Sequence, residues 1–238
     1  MFQIKNCGLE VLALYLRLFV ALEIISSMII TYLSGECIKV QFGEMVLAFN
    51  PPARKSTQKS IRFGADIALG TLNHPDCNGL ETLGFGERRP FLITGPGEYE
   101  IKGVSVRGFA SESGYGGVPR QNTIYTIMLE GMALCFLGAI SAPKLPAALT
   151  EELGDIDVLF VPIGGDGVLA PAAAYALAVS LSPRLIIPMH FAGLGEPNAL
   201  QKFLKEAGEK NDPQEKLTLK KKDLEGKEGE VVVLKPAQ

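Results

Sequence analysis

The sequence predicts an α/β fold in which two β-sheets are covered by helices. Up to residue 137, short β-branched and aromatic runs alternate with glycine-containing turns. The remainder alternates apolar runs with helical stretches, and this order is typical of sheets that carry helices on their outer faces. The chain has 238 residues, 47% of them hydrophobic, which suffices for one core of single-domain size.

The first half of the chain is predicted to consist of strands joined by tight turns. Its apolar runs are short, rich in β-branched and aromatic residues, and bounded by glycine or proline. A polar loop is expected at Ala53–Ser60, and Glu130-Gly131 is a two-residue hairpin turn. The predicted strands are Ile29–Leu33, Cys37–Phe42, Met45–Phe49, Ala65–Leu69, Phe91–Thr94, Glu98–Ile101, Val104–Phe109, Thr123–Leu129 and Met132–Leu137.

The second half introduces helices between buried strands. Continuous apolar runs indicate strands that are covered on both faces, and an alanine-rich run between two of them indicates a helix. A second helix has apolar residues at helical spacing, with Asn198 as its cap and Gly208 as its stop. The predicted strands are Val158–Ile163, Leu185–Met189 and Val231–Leu234, and the predicted helices are Pro171–Leu181 and Asn198–Ala207.

Residues 1–27 are predicted to lie outside the fold, and residues 28–238 to form one domain. The apolar stretch Leu9–Ile30 is interrupted by three charged residues, Glu10, Arg17 and Glu23. A spanning helix needs about 20 predominantly apolar residues, and each central charge opposes insertion by a few kcal/mol. A secretory signal also needs an uninterrupted apolar middle. We therefore interpret residues 1–27 as an extension, with a weak membrane anchor as the alternative.

Charge and cysteine content narrow the classes of function. A formal charge of −3 provides no basic face for nucleic acid, and acidic residues follow the run Lys220–Lys222. The four cysteines form no CxxC pair, which is typical of a reducing compartment, so we expect a cytoplasmic protein. The sequence also lacks a Gly-x-Ser-x-Gly elbow, a Walker A loop and a strand-linked Gly-x-Gly-x-x-Gly.

The strongest chemical signal is the segment 71–78, which reads Thr-Leu-Asn-His-Pro-Asp-Cys-Asn. It resembles the His-x-His-x-Asp-His loop that supplies most of the two-metal site in the metallo-β-lactamase superfamily. The central histidine and the aspartate match, as His74 and Asp76, but Leu72 and Cys77 replace the outer histidines. The whole chain contains two histidines, so no relocated histidine can restore the usual set.

Six further pieces occur in the order of this superfamily and extend the resemblance over residues 28–192. They most resemble the small prokaryotic branch related to ascorbate-6-phosphate lactonase. The resemblance implies a four-layer αββα sandwich with its site at one edge of the two sheets. The pieces are Thr31-Tyr32-Leu33 with Gly35, Pro96-Gly97-Glu98-Tyr99-Glu100, Asn122-Thr123-Ile124-Tyr125, Phe136-Leu137-Gly138, Asp157-Val158-Leu159 with Pro162, Gly164 and Gly165, and Ile187-Pro188-Met189-His190.

The same resemblance implies which positions would bind metal. Three histidines hold the first metal in the family, and an Asp-His pair with a late histidine holds the second. An aspartate bridges the two metals, and its position here is occupied by alanine. The positions for the first metal hold Leu72, His74 and Glu112, those for the second hold Asp76, Cys77 and His190, and the bridging position holds Ala139.

Two of these positions cannot coordinate a metal, since leucine and alanine carry no donor atom. A hydrolase of this type uses a metal to make hydroxide at neutral pH, and catalytic zinc usually has three protein ligands. His74 with Glu112 would supply two ligands, whereas Asp76, Cys77 and His190 would supply three. We therefore expect either no metal or one zinc, with manganese as the substitute. Each of the three also has a purely structural alternative: Asp76 as a hydrogen-bonded turn residue, His190 as a polar core residue, and Cys77 as a small buried hydrophobic residue.

Three hypotheses remain open at this point. The first is a family-fold protein with an eroded metal centre, which binds a small-molecule ligand, has a structural role, or retains weak hydrolysis. The second is a one-metal hydrolase of a lactone, ester or phosphoester. The third is a non-catalytic protein that uses the sandwich to form a homo-oligomer. Metal content separates the second hypothesis from the others, and concentration-dependent mass separates the third.

Overall fold

The computed structural model describes residues 27–237, so the predicted extension lies outside the described residues except for Ser27. The described chain forms strands β1 (Met28–Ser34), β2 (Cys37–Phe42), β3 (Met45–Phe49), β4 (Ile67–Leu69), β5 (Phe91–Ile93), β6 (Gly97–Ile101), β7 (Val104–Ser113), β8 (Arg120–Leu129), β9 (Met132–Phe136), β10 (Val158–Pro162), β11 (Leu185–Met189), β12 (Leu217–Leu219) and β13 (Glu230–Val231). Its α-helices are α1 (Ala147–Glu152), α2 (Pro171–Ser180) and α3 (Ala199–Ala207), and 3-10 helices cover Leu80–Leu83 and Lys221–Leu224.

The strands form two mixed sheets. The first has the order β12-β1-β2-β3-β4-β5, and the second has the order β13-β11-β10-β9-β8-β7-β6. Strands β6 to β9 form an antiparallel meander, whereas β9, β10, β11 and β13 are parallel. Parallel strands end at the same edge of a sheet, so the loops that follow β10 and β11 are brought together there.

The main core lies between the two sheets. Aromatic side chains dominate its centre, where the rings of Phe49 and Phe136 stack with centroids 4.6 Å apart and Phe160 packs beside them. All three side chains are fully buried, and each such burial stabilises the fold by about 1.5–3 kcal/mol. This core fixes the spacing of the sheets and therefore the positions of the loops at their edge.

The outer layers differ on the two sides of the sandwich. Helices α2 and α3 pack through Leu177 and Phe203 onto the second sheet. On the first sheet, Leu80 and Leu83 of a 3-10 helix pack against small residues of β3 and β4. The prediction of an α/β sandwich of two sheets is confirmed, with its α-helices on the second sheet among the described residues. None of these helices is long and apolar enough to cross a bilayer.

Several predicted elements differ from the structure in extent. The last strand covers Glu230–Val231 instead of Val231–Leu234, and β12 and α1 were not predicted. Asn198 precedes α3 but has a left-handed backbone and no side-chain capping bond, so its predicted capping role was wrong. Gly208 does end α3 in the left-handed conformation that favours glycine. The Glu130-Gly131 hairpin turn is confirmed by positive φ angles of 49° and 72°.

Candidate metal centre

The loop 71–78 lies at the edge where both sheets meet. It is attached to the second sheet, since the amide of Thr123 donates to the carbonyl of Thr71 over 2.8 Å. It is attached to the preceding loop as well, because the amide of Ala53 donates to the carbonyl of Pro75 over 2.7 Å. The loop carries His74, Asp76 and Cys77, and the end of β11 carries His190 on the opposite side of the same pocket.

Tyr115 fills the space between the two histidines. Its ring centroid lies 4.8 Å from that of His74 and 4.8 Å from that of His190, with an edge-on arrangement in both cases. Its hydroxyl donates a hydrogen bond to Asp76 Oδ2 over 2.7 Å, and Ser56 Oγ donates to the other carboxylate oxygen. Both oxygens of Asp76 therefore have protein partners, and the tyrosine ring lies between His74 and His190.

Three glycines allow the Tyr115 loop to approach the histidines. Gly114, Gly116 and Gly117 surround the tyrosine, and the latter two have φ angles of 76° and 77°. A β-carbon at Gly116 would lie 3.1 Å from His74 Nε2, which is tighter than nine in ten real contacts of this type. A non-glycine residue at Gly116 would therefore be strained by both its backbone and its surroundings. The guanidinium of Arg120 donates to the Tyr115 carbonyl over 2.7 Å and holds the loop in place.

His190 is oriented by a buried carboxylate that was not among the predicted site residues. Its Nδ1 lies 2.7 Å from Glu36 Oε1, and both side chains are completely buried. The second oxygen of Glu36 accepts a hydrogen bond from Asn50 Nδ2 over 2.7 Å. The amide of His190 also donates to the carbonyl of Gly35 over 2.6 Å. These bonds hold His190 in a left-handed conformation with φ of 63°, which normally costs about 1–2 kcal/mol.

The other ring nitrogen of His190 has no hydrogen-bond partner among the described residues. This nitrogen, Nε2, is buried, and the Tyr115 ring packs edge-on against the imidazole. Metal-binding histidines commonly have one nitrogen on the metal and the other on a carboxylate. His190 has the carboxylate half of this arrangement, in the form of Glu36.

The replaced ligand positions form a small apolar cluster. Leu72, Cys77, Ala139 and Val168 pack with Tyr115, and each of them is at most 8% exposed. Burial raises the pKa of Cys77 well above its ordinary value, and the carboxylates of Glu36 and Asp76 raise it further. Cys77 is therefore a protonated thiol at neutral pH, whereas zinc binds the thiolate.

His74 behaves as a neutral side chain. Burial lowers its pKa, although the nearby charge of Asp76 acts in the opposite direction. Its Nδ1 accepts a hydrogen bond from the amide of Asp76 over 3.3 Å, which requires this nitrogen to carry no proton. The 3.4 Å contact between Nδ1 and the Asp76 carboxylate is accordingly not a salt bridge at neutral pH.

Glu112 points away from the pocket. Its side chain is exposed in β7, whereas the next residue, Ser113, is 2% exposed and accepts a hydrogen bond from the Tyr115 amide. Neighbouring residues in a strand face opposite sides, so the proposed ligand position and the inward-facing position differ by one residue. The structure thus brings together His74, Asp76, Cys77 and His190, and leaves Glu112 outside.

The residues of this pocket do not fit a metal ion. Within residues 27–237, no group of three His, Cys, Asp or Glu side chains is placed to hold one. Asp76 is bonded to Tyr115 and Ser56, and the Tyr115 ring lies between His74 and His190. The arrangement can hold a polar network together, but it has no converging donor set.

Sequence reasoning missed two residues of the site, Glu36 and Tyr115. Glu36 lies between β1 and β2 in a Ser-Gly-Glu turn, where an acidic residue usually indicates a solvated position. Glycines surround Tyr115 in the sequence, but they do not reveal where its side chain points. A large aromatic residue inside a run of three glycines was the signal available for this position.

Comparison with known proteins agrees with the architecture. The family model for the β-lactamase superfamily domain matches residues 29–190. A UPF0173 metal-dependent hydrolase of Thermococcus onnurineus is 32% identical over 114 residues, which cover 48% of this chain and 43% of that protein. One of Anaeromyxobacter dehalogenans is 29% identical over 167 residues, or 64% of this chain and 58% of that protein. The chain thus spans about half the length of the curated relatives it matches.

Solved structures show the same fold. A candidate zinc-dependent hydrolase of the metallo-β-lactamase superfamily from Thermotoga maritima superimposes with a TM-score of 0.67. It is 26% identical, and the match covers 88% of this chain and 100% of that one. A metallo hydrolase from Ignicoccus hospitalis has a TM-score of 0.57 at 19% identity, covering 82% of this chain and 99% of that one, and supports the fold alone.

Proposed function

Because this chain belongs to the metallo-β-lactamase superfamily, its pocket can be compared with two-metal chemistry, and we propose that the metal centre has eroded and that the protein acts by binding. In this proposal a network of Tyr115, Asp76, Glu36 and His190 occupies the former metal centre. The protein would then have no strong hydrolytic activity of its own.

The position of Tyr115 carries the proposal. Its hydroxyl is a donor to Asp76 and its ring contacts both histidines, so one side chain occupies the space between groups that a metal would otherwise bring together. Unpaired buried carboxylates are strongly unfavourable, and the hydrogen bonds to Asp76 remove this penalty without an ion.

The replaced positions support the same conclusion. Metal-assisted hydrolysis needs an ion that lowers the pKa of bound water to about 7 and stabilises the developing oxyanion. Leu72 and Ala139 offer no donor atom, and they pack against Tyr115 in the apolar cluster. Restoring hydrolysis would therefore require both new ligands and removal of the tyrosine ring.

One observation favours a second function, a one-metal hydrolase that uses Asp76, Cys77 and His190. The free Nε2 of His190 and its bond to Glu36 are features of a metal-binding histidine. This alternative requires the Tyr115 side chain to leave the pocket and Cys77 to lose its proton. It would act on a lactone, ester or phosphoester, with zinc or manganese as the ion.

Thermal unfolding with and without chelator tests the proposal. A ligand present at 1,000 times its Kd stabilises the native state by about 4 kcal/mol, which corresponds to a shift on the order of 10 °C in melting temperature. We expect excess EDTA to change the melting temperature by less than about 1 °C, far less than the shift that loss of a tightly bound ion would cause. Two results together would support the one-metal hydrolase instead. EDTA would lower the melting temperature strongly and zinc would restore it, and the zinc-treated protein would hydrolyse a generic lactone or phosphodiester.

A further inference from the structure

A second pocket lies directly beside the eroded metal centre. It has a volume of about 450 Å³, which is within the usual range for small-molecule sites. Ser34 lines it two residues before Glu36, and Ala192 and Gly193 line it just after His190. The same loops thus form the wall between this pocket and the former metal centre.

The loop that forms one side of this pocket is strongly basic. Residues 51–65 contain four cations and no acidic residue, in a protein with a net charge of −3. Lys59 and Arg62 line the pocket, whereas Arg54 and Lys55 are exposed elsewhere on the same loop. No ion pair within residues 27–237 involves any of the four.

A different cavity provides a contrast, because the cations that line it are neutralised by acidic residues. A cavity of about 500 Å³ on the second sheet is lined by Arg107, Arg184 and Lys221. Arg107 pairs with Glu152, and both other cations pair with Asp157. Lys59 and Arg62 differ from these three cations in having no ion pair with an acidic residue among the described residues.

Polar atoms at the wall of this pocket and next to it are also unsatisfied. Ser34 Oγ, at the wall, is buried and has no hydrogen-bond partner among the described residues. The same is true of both amide atoms of Gln58, the residue that precedes the lining residue Lys59. Gln58 packs against Gly35, where a β-carbon would lie 2.3 Å from its amide oxygen. Buried polar groups in native proteins are usually bonded, so these atoms indicate a missing polar partner.

We propose that this pocket binds a small organic anion with an apolar body. Lys59 and Arg62 would contact a carboxylate or phosphate monoester head group, with the Ser34 hydroxyl as a further donor. Leu33, Ile61 and Ala192 would contact the apolar body. The inference rests on the proposed binding function, since it gives that function a ligand class and a place.

Titration with six-carbon probes tests this proposal. The anionic probes are hexanoate and hexyl phosphate, and the controls of the same length are hexanol and hexylammonium. Binding is measured by calorimetry and by NMR chemical-shift changes of the Ser34 and Gly193 amides. EDTA is present throughout, and the ionic strength is low because salt screens exposed charges. We expect at least one anion to bind, neither control to compete, and the tighter anion to identify the preferred head group.

Two double variants locate the binding site. Lys59→Gln with Arg62→Gln removes the cations that line the pocket, and we expect it to weaken anion binding roughly tenfold or more. Arg54→Gln with Lys55→Gln removes equal charge from the same loop outside the pocket, and we expect a change below about twofold. Circular dichroism confirms that both variants fold, which is expected since all four side chains are exposed.

Three results would overturn the proposal: no binding of either anion at millimolar concentration, equal binding of the uncharged probe, or equal weakening in the two variants. The proposed function is tested separately, by the zinc content of the unaltered protein. One zinc ion per chain would contradict it. Anion binding in EDTA does not depend on that result, so the two outcomes are distinguishable.

Discussion

The hydroxyl of Tyr115 donates a 2.7 Å hydrogen bond to Asp76, which lies in the loop that resembles the metal-binding loop of the superfamily. This bond links the glycine-rich loop after β7 to the loop after β4, two segments that are 39 residues apart. In our account, the bond and the ring above it replace the ion as the link between these loops.

Removal of the Tyr115 hydroxyl tests the strength of this link. Tyr115→Phe retains the ring contacts with both histidines but leaves Asp76 Oδ2 without its donor. Hydrogen bonds to charged groups contribute about 1.5–3 kcal/mol, so we expect a loss of roughly 2 kcal/mol in the free energy of unfolding. Denaturant titration measures it. Tyr175→Phe is the control, because this hydroxyl has no hydrogen bond within the described chain. Equal stability of Tyr115→Phe and the parent would contradict the account.

Truncation tests the domain boundary. Strand β1 begins at Met28 and is hydrogen-bonded on both sides, to β2 and to β12. A chain that begins at Met28 therefore retains every described strand, and we expect it to stay soluble and to unfold cooperatively. Calorimetry of the truncated and full-length proteins provides the comparison. Aggregation or a non-cooperative melt of the truncated protein would show that residues 1–27 belong to the fold.

The strands could be predicted from sequence because apolar patterns extend over several residues. The predicted β2, β3 and β11 agree with the structure to the residue. Helix α1 was missed because six residues give too short a pattern. Glu112 was aligned one residue from the inward-facing Ser113, and such a shift reverses the face of a strand. Glu36 and Tyr115 lie in turns, where no periodicity indicates side-chain direction.

Asp66 provides a test of pH dependence. Burial alone would raise its pKa, but the hydrogen bonds from Lys102 and from the Val46 amide and the charge of Arg88 outweigh it, so the pKa is lowered. Because the pKa of Asp66 is lower in the folded state than in the unfolded state, the ionised carboxylate stabilises the protein at pH values above its unfolded-state pKa of about 4. This contribution disappears as the pH falls through the pKa of the folded state.

Asp66→Asn should therefore lower the melting temperature at neutral pH and have little effect in acid. We expect a difference of about 1 kcal/mol at pH 7, since Lys102 is largely exposed and solvent weakens its charge. Melting curves between about pH 3 and pH 8 span the unfolded pKa of aspartate and test this. Glu151→Gln, at an exposed position, is the control. A difference that grew as the pH fell would contradict the assignment.

Restoring the family's metal ligands tests whether the replaced residues and the Tyr115 ring prevent metal binding. The variant Leu72→His, Cys77→His, Ala139→Asp and Tyr115→Ala replaces the apolar cluster with donors and removes the ring. We expect its zinc or manganese uptake to rise toward two ions, and turnover to return less readily, since missing supporting residues reduce affinity or activity about 10–100-fold.

Two comparisons locate the effect of restoration. The same variant with Tyr115 retained should take up less metal, because the ring still occupies the pocket. Adding Glu112→His should give no further gain, since that side chain faces away from the pocket. If a well-folded restored variant bound no metal, the replaced positions would not converge in space as the account requires.

The zinc content of the unaltered protein tests the central claim most directly. Protein purified without chelators and dialysed against micromolar zinc is analysed by elemental mass spectrometry, with Asp76→Asn and His190→Gln as matched variants. We predict well under one zinc per chain in all three proteins. One zinc per chain in the unaltered protein, lost in both variants, would show that Tyr115 leaves the pocket and that Asp76 and His190 form a working metal site.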